Sequence, residues 1–247
     1  MTSLAAVEGA GAQNVLVLHG WALDSSVWLP ARWLTDQERF TYAYVDYPAY
    51  GVNRDAKPAD GVDAMARSAL EAADTLGWNR FAVLGHSMGG ATALRVATMA
   101  PDRVTAVVAL TPVSPAGTPF DAATYEMFKG AWDNFGAAVK GGLAPTMSDV
   151  DIRRLVQRHH ATMGRDAWDA YLANWTGCSF MDELARCTMP VSVFVGANDP
   201  FVNKEYLADT MKALPHASFG AIEGAGHYPQ VEQPEASVAA WEAALEG

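Results

Sequence analysis

Cysteine is scarce in this chain: Cys178 and Cys187 are the only two, with no CxxC pair and no histidines at metal-ligand spacing beside them. That argues against a disulfide framework and a structural zinc site, so both thiols are expected to be buried or idle. Positive charge is also sparse, with 17 Lys+Arg against 28 Asp+Glu and a net charge of −11. Phosphate backbones and anionic bilayers reward the opposite sign, so neither nucleic acid nor a membrane surface is an expected partner. Long apolar runs are missing: the most apolar region, 88–113, is broken by Arg95 and by Pro101-Asp102-Arg103, and no stretch reaches the ~18 residues that span a bilayer. Residues 1–14 have no Lys or Arg and no long apolar core, so they lack the parts of a secretory signal, and the cytoplasm is the expected location. There is no internal repeat, dinucleotide fingerprint, P-loop lysine or metal constellation, and no cofactor or metal is expected.

At 247 residues the chain is long enough for a full core, and one domain with an insertion is expected. Its clearest feature is a short apolar run that stops on a motif. Phe81-Ala82-Val83-Leu84 is too short for a helix and too apolar for an exposed strand, so it reads as a strand buried on both faces of a parallel sheet. Gly85-His86-Ser87-Met88-Gly89 follows, and then small residues at helical spacing. Gly-x-Ser-x-Gly in that setting predicts a tight turn that lifts the Ser87 hydroxyl past the sheet's carboxyl end, at a helix N-terminus. Glycines flank it because a Cβ at either position would meet neighbouring backbone. The Met88 backbone N–H is left free to face an oxyanion.

Other apolar runs place further strands. Residues 15–18 end at His19-Gly20-Trp21-Ala22, with Asp24 as an N-cap for 25–34, and Phe40–Val45 ends at the Pro/Gly turn 46–51. Val62, Met65, Ala66, Ala69, Ala73 and Leu76 recur at three and four and stop at Gly77, giving a helix that completes a strand-helix-strand crossover. Val104–Leu110 follows a helix ended by Pro101. The strand 191–195 stops at Gly196-Ala197-Asn198-Asp199, which puts Asp199 just past a carboxyl end. After Ala217–Ile222 the glycine-rich loop 223–229 can bring His227 over the sheet, and Pro234 opens the last helix.

Taken together these segments resemble the α/β-hydrolase superfamily, from about residue 15 to the C-terminus, with only 117–182 outside the resemblance. The serine elbow, Gly-x-x-Asp at 196–199, and Gly-His-x-x-x-x-Glu-x-Pro through Glu232 and Pro234 carry it. The resemblance implies a mainly parallel α/β sheet flanked by helices. It also implies Ser87 as nucleophile, His227 as its base and Asp199 as the acid that orients the imidazole. The second oxyanion donor, by resemblance, is the backbone N–H of Trp21. Two departures stand out: Ala49 occupies a glycine position of the family's Asp-x-Pro-Gly-x-Gly turn, and residues 1–14, rich in Ala and Gly, offer no convincing strand pair for the usual N-terminal hairpin. A trimmed sheet of about six strands is therefore expected.

Between residues 117 and 182 the alternation of strand and helix signals stops, and a tryptophan-bearing stretch with helical spacing takes over. It is too long for a loop and is read as a helical cap inserted into a core formed by 1–116 and 183–247. The competing reading is a helical layer packed on the sheet's side. As a cap it would set Trp132, Trp168 and Trp175, with Met127, Phe128 and Met163, above Ser87 as substrate-binding surface. His19, His86, His159, His160 and His216 are read as structural or solvated, and the Trp21 side chain as a core aromatic. The expected activity is hydrolysis of small to medium apolar carboxylic esters or lactones through an acyl-enzyme. A carbon–carbon bond hydrolase, a perhydrolase and a hydrolase-fold ligand receptor are the alternatives the same residues allow.

Overall fold

The computed structural model describes residues 3–214 and 216–246. The apolar runs become the strands of one sheet. In chain order come β1 (Leu4–Glu8), β2 (Gln13–Leu18), α1 (Leu29–Arg32), β3 (Phe40–Val45), α2 (Gly61–Thr75), β4 (Phe81–His86), α3 (Met88–Met99) and β5 (Val104–Leu110). The middle of the chain gives α4 (Ala122–Gly130), α5 (Phe135–Ala138), a π-helical turn Val139–Leu143, α6 (Asp149–Thr162) and α7 (Arg165–Thr176). Then follow β6 (Val191–Gly196), α8 (Ala208–Ala213), β7 (Ala217–Ile222), α9 (Pro229–Glu232) and α10 (Pro234–Glu246).

The strands pair in the order β1-β3-β2-β4-β5-β6-β7, parallel throughout except for β1. This seven-stranded sheet corrects the expectation of about six strands without an N-terminal one. β1 and β2 do not form a hairpin with each other; β1 runs antiparallel along the free edge of β3, with Val7 opposite Ala43 and Glu8 opposite Tyr42. Its alanines have weak strand preference of their own, and the open N–H and C=O row of β3 organises them. Glu8 adds an ion pair with Arg32.

α3 is buried along most of its length, from Met88 to Thr98, because Gly89, Gly90, Ala91 and Ala93 let it lie close to the sheet while α2 covers its other side. On α10, Val238, Trp241 and Leu245 share the buried face, each contributing about 1.5–3 kcal/mol of burial. Ala49 adopts φ +67°, taking the left-handed conformation where a glycine would be free of strain.

The helices between β5 and β6 are capped locally: the Asp121 and Ser148 side chains accept from Thr124 N–H and Asp151 N–H. They are tied to loops that leave the carboxyl ends of β2 and β3. Trp21 Nε1–H donates to Trp168 O at 3.0 Å, Tyr171 O–H to Pro48 O at 2.7 Å, and Asn174 Nδ2 to Ala59 O at 2.8 Å. Arg158 reaches the buried Asp24 at 2.7 Å, and Tyr50 and Met163 form an isolated antiparallel bridge.

Candidate active site

Ser87 stands between β4 and α3 at φ 55° and ψ −117°, a conformation that costs a non-glycine residue strain. The backbone is held there by close packing. A Cβ on Gly85 would lie 2.1 Å from Gly89 O, and one on Gly89 would lie 2.4 Å from Leu18 O, so neither position admits a side chain. Ser87 N–H donates to Leu110 O at 2.9 Å, and Ser87 O accepts from Gly90 and Val113, which anchors the turn to β5 and α3.

His227 Nε2 lies 2.9 Å from Ser87 Oγ, and His227 Nδ1 lies 2.7 Å from Asp199 Oδ2. The acceptor-only carboxylate fixes the tautomer: Nδ1–H donates to Asp199 and Nε2 is free to accept the serine proton. All three side chains are buried. Asp199 is oriented in turn by the N–H groups of Phe201 and Val202, which donate to Oδ1 at 2.8 and 2.9 Å. Glu232 Oε1 gathers the loop by accepting from Gly226 N–H at 2.9 Å and Tyr228 N–H at 3.1 Å, the physical reason for a glutamate five residues after the histidine. Such a line of groups can take a proton from a hydroxyl, stabilise the resulting imidazolium and return the proton to a leaving group.

The loop after β2 runs directly past the serine: a Cβ on Gly20 would sit 3.1 Å from Ser87 Cβ. Ala22 takes φ 73°, with its N–H on Tyr50 OH at 3.3 Å and its carbonyl accepting from His159 Nδ1–H at 3.1 Å. Among the described residues, the Trp21 and Met88 N–H groups donate to no protein acceptor. The Trp21 side chain is part of the site, contrary to its reading as a core aromatic: the ring is half-buried, packs on Trp168 with centroids 3.9 Å apart, and lines the space above Ser87.

That space is a chamber of about 20 Å³ lined by Ser87, His227, Trp21, Trp175, Leu143 and Phe201, among others. Four of its lining residues, Trp21, Phe128, Leu143 and Phe201, also line a larger cavity of about 460 Å³ that extends among Phe120, Met127, Phe135 and Trp168. No charged side chain of the described residues lines this cavity. Trp168 and Trp175 therefore stand at the cavities, whereas Trp132 lines neither and packs edge-on against His159 and Trp168, with centroids 4.4 and 5.7 Å away. Met163 is fully buried away from both. The sequence reading passed over Phe201 and Leu143. Phe201 could have been found as the apolar residue two positions after Asp199, but nothing local marks Leu143.

Of the remaining histidines, the buried His19, His86 and His159 are each hydrogen-bonded to the backbone. His19 is buried between Tyr47 and Tyr50, accepting from Tyr47 N–H at 3.3 Å, and His216 is exposed at a turn. His86 and His159 have pKa values lowered first of all by burial, His159 to about 4. Among the described residues, no group of three or more His, Cys, Asp or Glu is placed to hold a metal, and no helix is long and apolar enough to cross a membrane. Cys178 and Cys187 are both free and buried.

The strand order, the elbow and the Ser87–His227–Asp199 line define an α/β hydrolase, and the model of the alpha/beta hydrolase fold family matches residues 13–234; the chain belongs to that family. It is 28% identical over 255 residues to the pimeloyl-acyl-carrier protein methyl ester esterase of Yersinia enterocolitica, with 92% of this chain and 91% of the relative covered. Among solved structures it is similar to a bromoperoxidase from Bacillus anthracis, with a TM-score of 0.86 at 20% identity over 98% of this chain and 94% of that one. An enol-lactonase from Burkholderia xenovorans gives a TM-score of 0.84 at 18% identity over 98% and 95%. At such identities the structural likeness establishes the fold alone.

Proposed function

We propose that the protein hydrolyses carboxylic esters or lactones of small to medium apolar substrates through an acyl-enzyme on Ser87. The observation that carries this reading is His227, held between Asp199 at 2.7 Å and Ser87 at 2.9 Å. The esterase relative supports the ester bond as the target, and the uncharged cavity supports an apolar acyl or alkoxy group.

As Ser87 Oγ attacks the carbonyl carbon, its proton passes to His227 Nε2 and the carbonyl oxygen becomes an oxyanion facing the N–H groups of Trp21 and Met88. Each such donor is worth about 10²–10³ in rate. Collapse of the intermediate expels the alcohol, which takes the proton from His227 Nε2. Water then attacks the acyl-enzyme with His227 as base, releases the acid and regenerates the serine. Residues 117–182 act as a cap over a core of 1–116 and 183–247. In this arrangement α6 and α7 hold the Trp21 loop through His159 and Trp168.

A panel of p-nitrophenyl esters from acetate to decanoate, with simple lactones, tests the proposal. Turnover that is lost in Ser87→Ala and blocked by an organophosphate found on Ser87 is the expected result. Absence of any turnover, or labelling at another residue, overturns it.

A further inference from the structure

Trp175 lines the same chamber as Ser87 and His227, and its indole Nε1–H is a buried donor with no acceptor among the described residues. The side chain is 3% exposed, so bulk water does not serve it. Its neighbours are rings: Phe120 perpendicular at 5.6 Å between centroids, Phe128 and Trp21 at 6.0 Å, and Phe201 at 6.3 Å. None presents an oxygen, and the attraction of an N–H for the Phe120 face replaces only part of what an oxygen acceptor supplies. Buried donors in native proteins are almost always paired. The indoles of Trp28 and Trp241 are also left open here, but of the three only Trp175 lines the chamber at Ser87, where a ligand can bring the acceptor.

The backbone next to Trp175 is fixed in position, and its indole packs among the rings named above. Gly117 packs so close to the end of α7 that a Cβ there would lie 2.4 Å from Thr176 O, and Thr118 N–H donates to that same carbonyl at 2.9 Å. The oxyanion already has two main-chain donors assigned to it, from Trp21 and Met88, so a third donor is placed to meet a different substrate atom. A rigid, dry N–H discriminates strongly, because a substrate lacking the acceptor leaves it unpaired.

We infer that Trp175 is a substrate-recognition residue whose Nε1–H donates to an ether, hydroxyl, ring or keto oxygen within a few atoms of the scissile carbonyl. The preferred substrates are then esters or lactones whose apolar chain carries one such acceptor near the reacting end. The inference rests on the ester-hydrolase reading above, and Trp175 itself makes and breaks no bond.

The test compares p-nitrophenyl methoxyacetate with p-nitrophenyl butyrate, and 3-methoxypropanoate with pentanoate, pairs that differ by an oxygen in place of a methylene. In Trp175→Phe, which keeps the ring and loses the N–H, the ether-to-alkyl ratio of kcat/KM should fall about fivefold relative to wild type in at least one pair. Comparing ratios cancels the intrinsic reactivity of the ethers and any general loss of activity. Ratios unchanged in both pairs overturn the inference while leaving ester hydrolysis standing. A wild type inert to all four esters removes the ester reading instead. A second readout needs no variant: with Ser87 modified by a methoxymethyl phosphonate, the Trp175 indole N–H resonance should lie downfield of its position with the propyl phosphonate. Identical positions overturn the inference.

Discussion

The Nε2–H of His86 donates to the main-chain carbonyl of His227 at 2.7 Å, so the residue before the serine holds the backbone of the histidine that faces it. Thr111 Oγ1 donates to the same carbonyl at 3.1 Å, and Leu143 O takes the His227 N–H at 2.9 Å. His86 is fully buried, and burial first, then the neighbouring His227, keeps its pKa well below 6.5, so it stays a neutral donor. Replacing His86 by Leu should lower kcat about tenfold, since the His227 imidazole loses its alignment. His86→Gln, which can still donate, should restore most of the rate. Steady-state kinetics giving the Leu variant the wild-type kcat would refute this account.

Ser87→Ala should abolish turnover while leaving Tm within a few degrees, because alanine meets the same backbone strain at φ 55° and only the oxygen is lost. Asp199→Asn keeps the shape but presents an amide to His227 Nδ1 and favours the wrong tautomer. A loss in kcat on the order of 10⁴ is expected. A loss below tenfold would move the orienting role to another carboxylate.

The Trp21 loop is gripped from two helices, by the indole bond to Trp168 O and by the His159 bond to Ala22 O. Trp21→Ala retains the backbone N–H but frees the loop that aims it. The expected effect is a fall in kcat of about ten- to a hundredfold, at or below the loss of a whole oxyanion donor. A variant whose only change is a raised KM would make the Trp21 ring a binding surface and not a support for the loop.

His159 also sets a pH limit on stability. Above its ordinary value of 6.5 the imidazole is neutral in both folded and unfolded chains. Below that value the unfolded chain takes up a proton that the buried ring refuses until about pH 4. Stability should therefore decline as pH falls from 6.5 to about 4, and His19 and His86, also lowered chiefly by burial, act in the same direction. His159→Phe fits among Trp132, Phe135 and Trp168 but leaves the Ala22 carbonyl unpaired, at a cost of about 1–3 kcal/mol near pH 8. Its Tm should be lower at pH 8 and vary less with pH below 6.5. A Tm–pH curve parallel to wild type would contradict the assignment.

What the sequence makes legible follows from the range over which each constraint acts. Ser87, Asp199 and His227 each follow an apolar run and stand near glycines that close backbone approaches require, so the groups that the fold brings into one line could be read from short windows, although the backbone those glycines meet lies mostly in distant segments. β1 could not, because Leu4–Glu8 becomes a strand through the edge of β3, more than thirty residues away in the chain. Leu143 acts through its carbonyl, which every residue type possesses. Trp132 and Trp168 share helical spacing, yet only Trp168 reaches the cavity, since periodicity reports a buried face without saying what lies against it.

The cavity wall offers a test of substrate size that spares the core. Trp168→Ala would remove a fully buried ring whose Nε1–H is bonded to Lys129 O, at about 3–5 kcal/mol, so its effect on specificity would be mixed with unfolding. Gly141 lies on the same wall, and a Cβ there would meet nothing within 4 Å, so a larger side chain can enter without displacing the fold. In the wild type, kcat/KM should rise with acyl length, each buried methylene adding up to about 0.8 kcal/mol, or roughly fourfold, until the space of about 460 Å³ is used. Gly141→Leu should move the optimum to a shorter chain and leave acetate hydrolysis and Tm near wild type. If the profile is flat in both proteins, the cavity does not hold the acyl chain, and the chamber at Ser87 alone sets the choice of substrate.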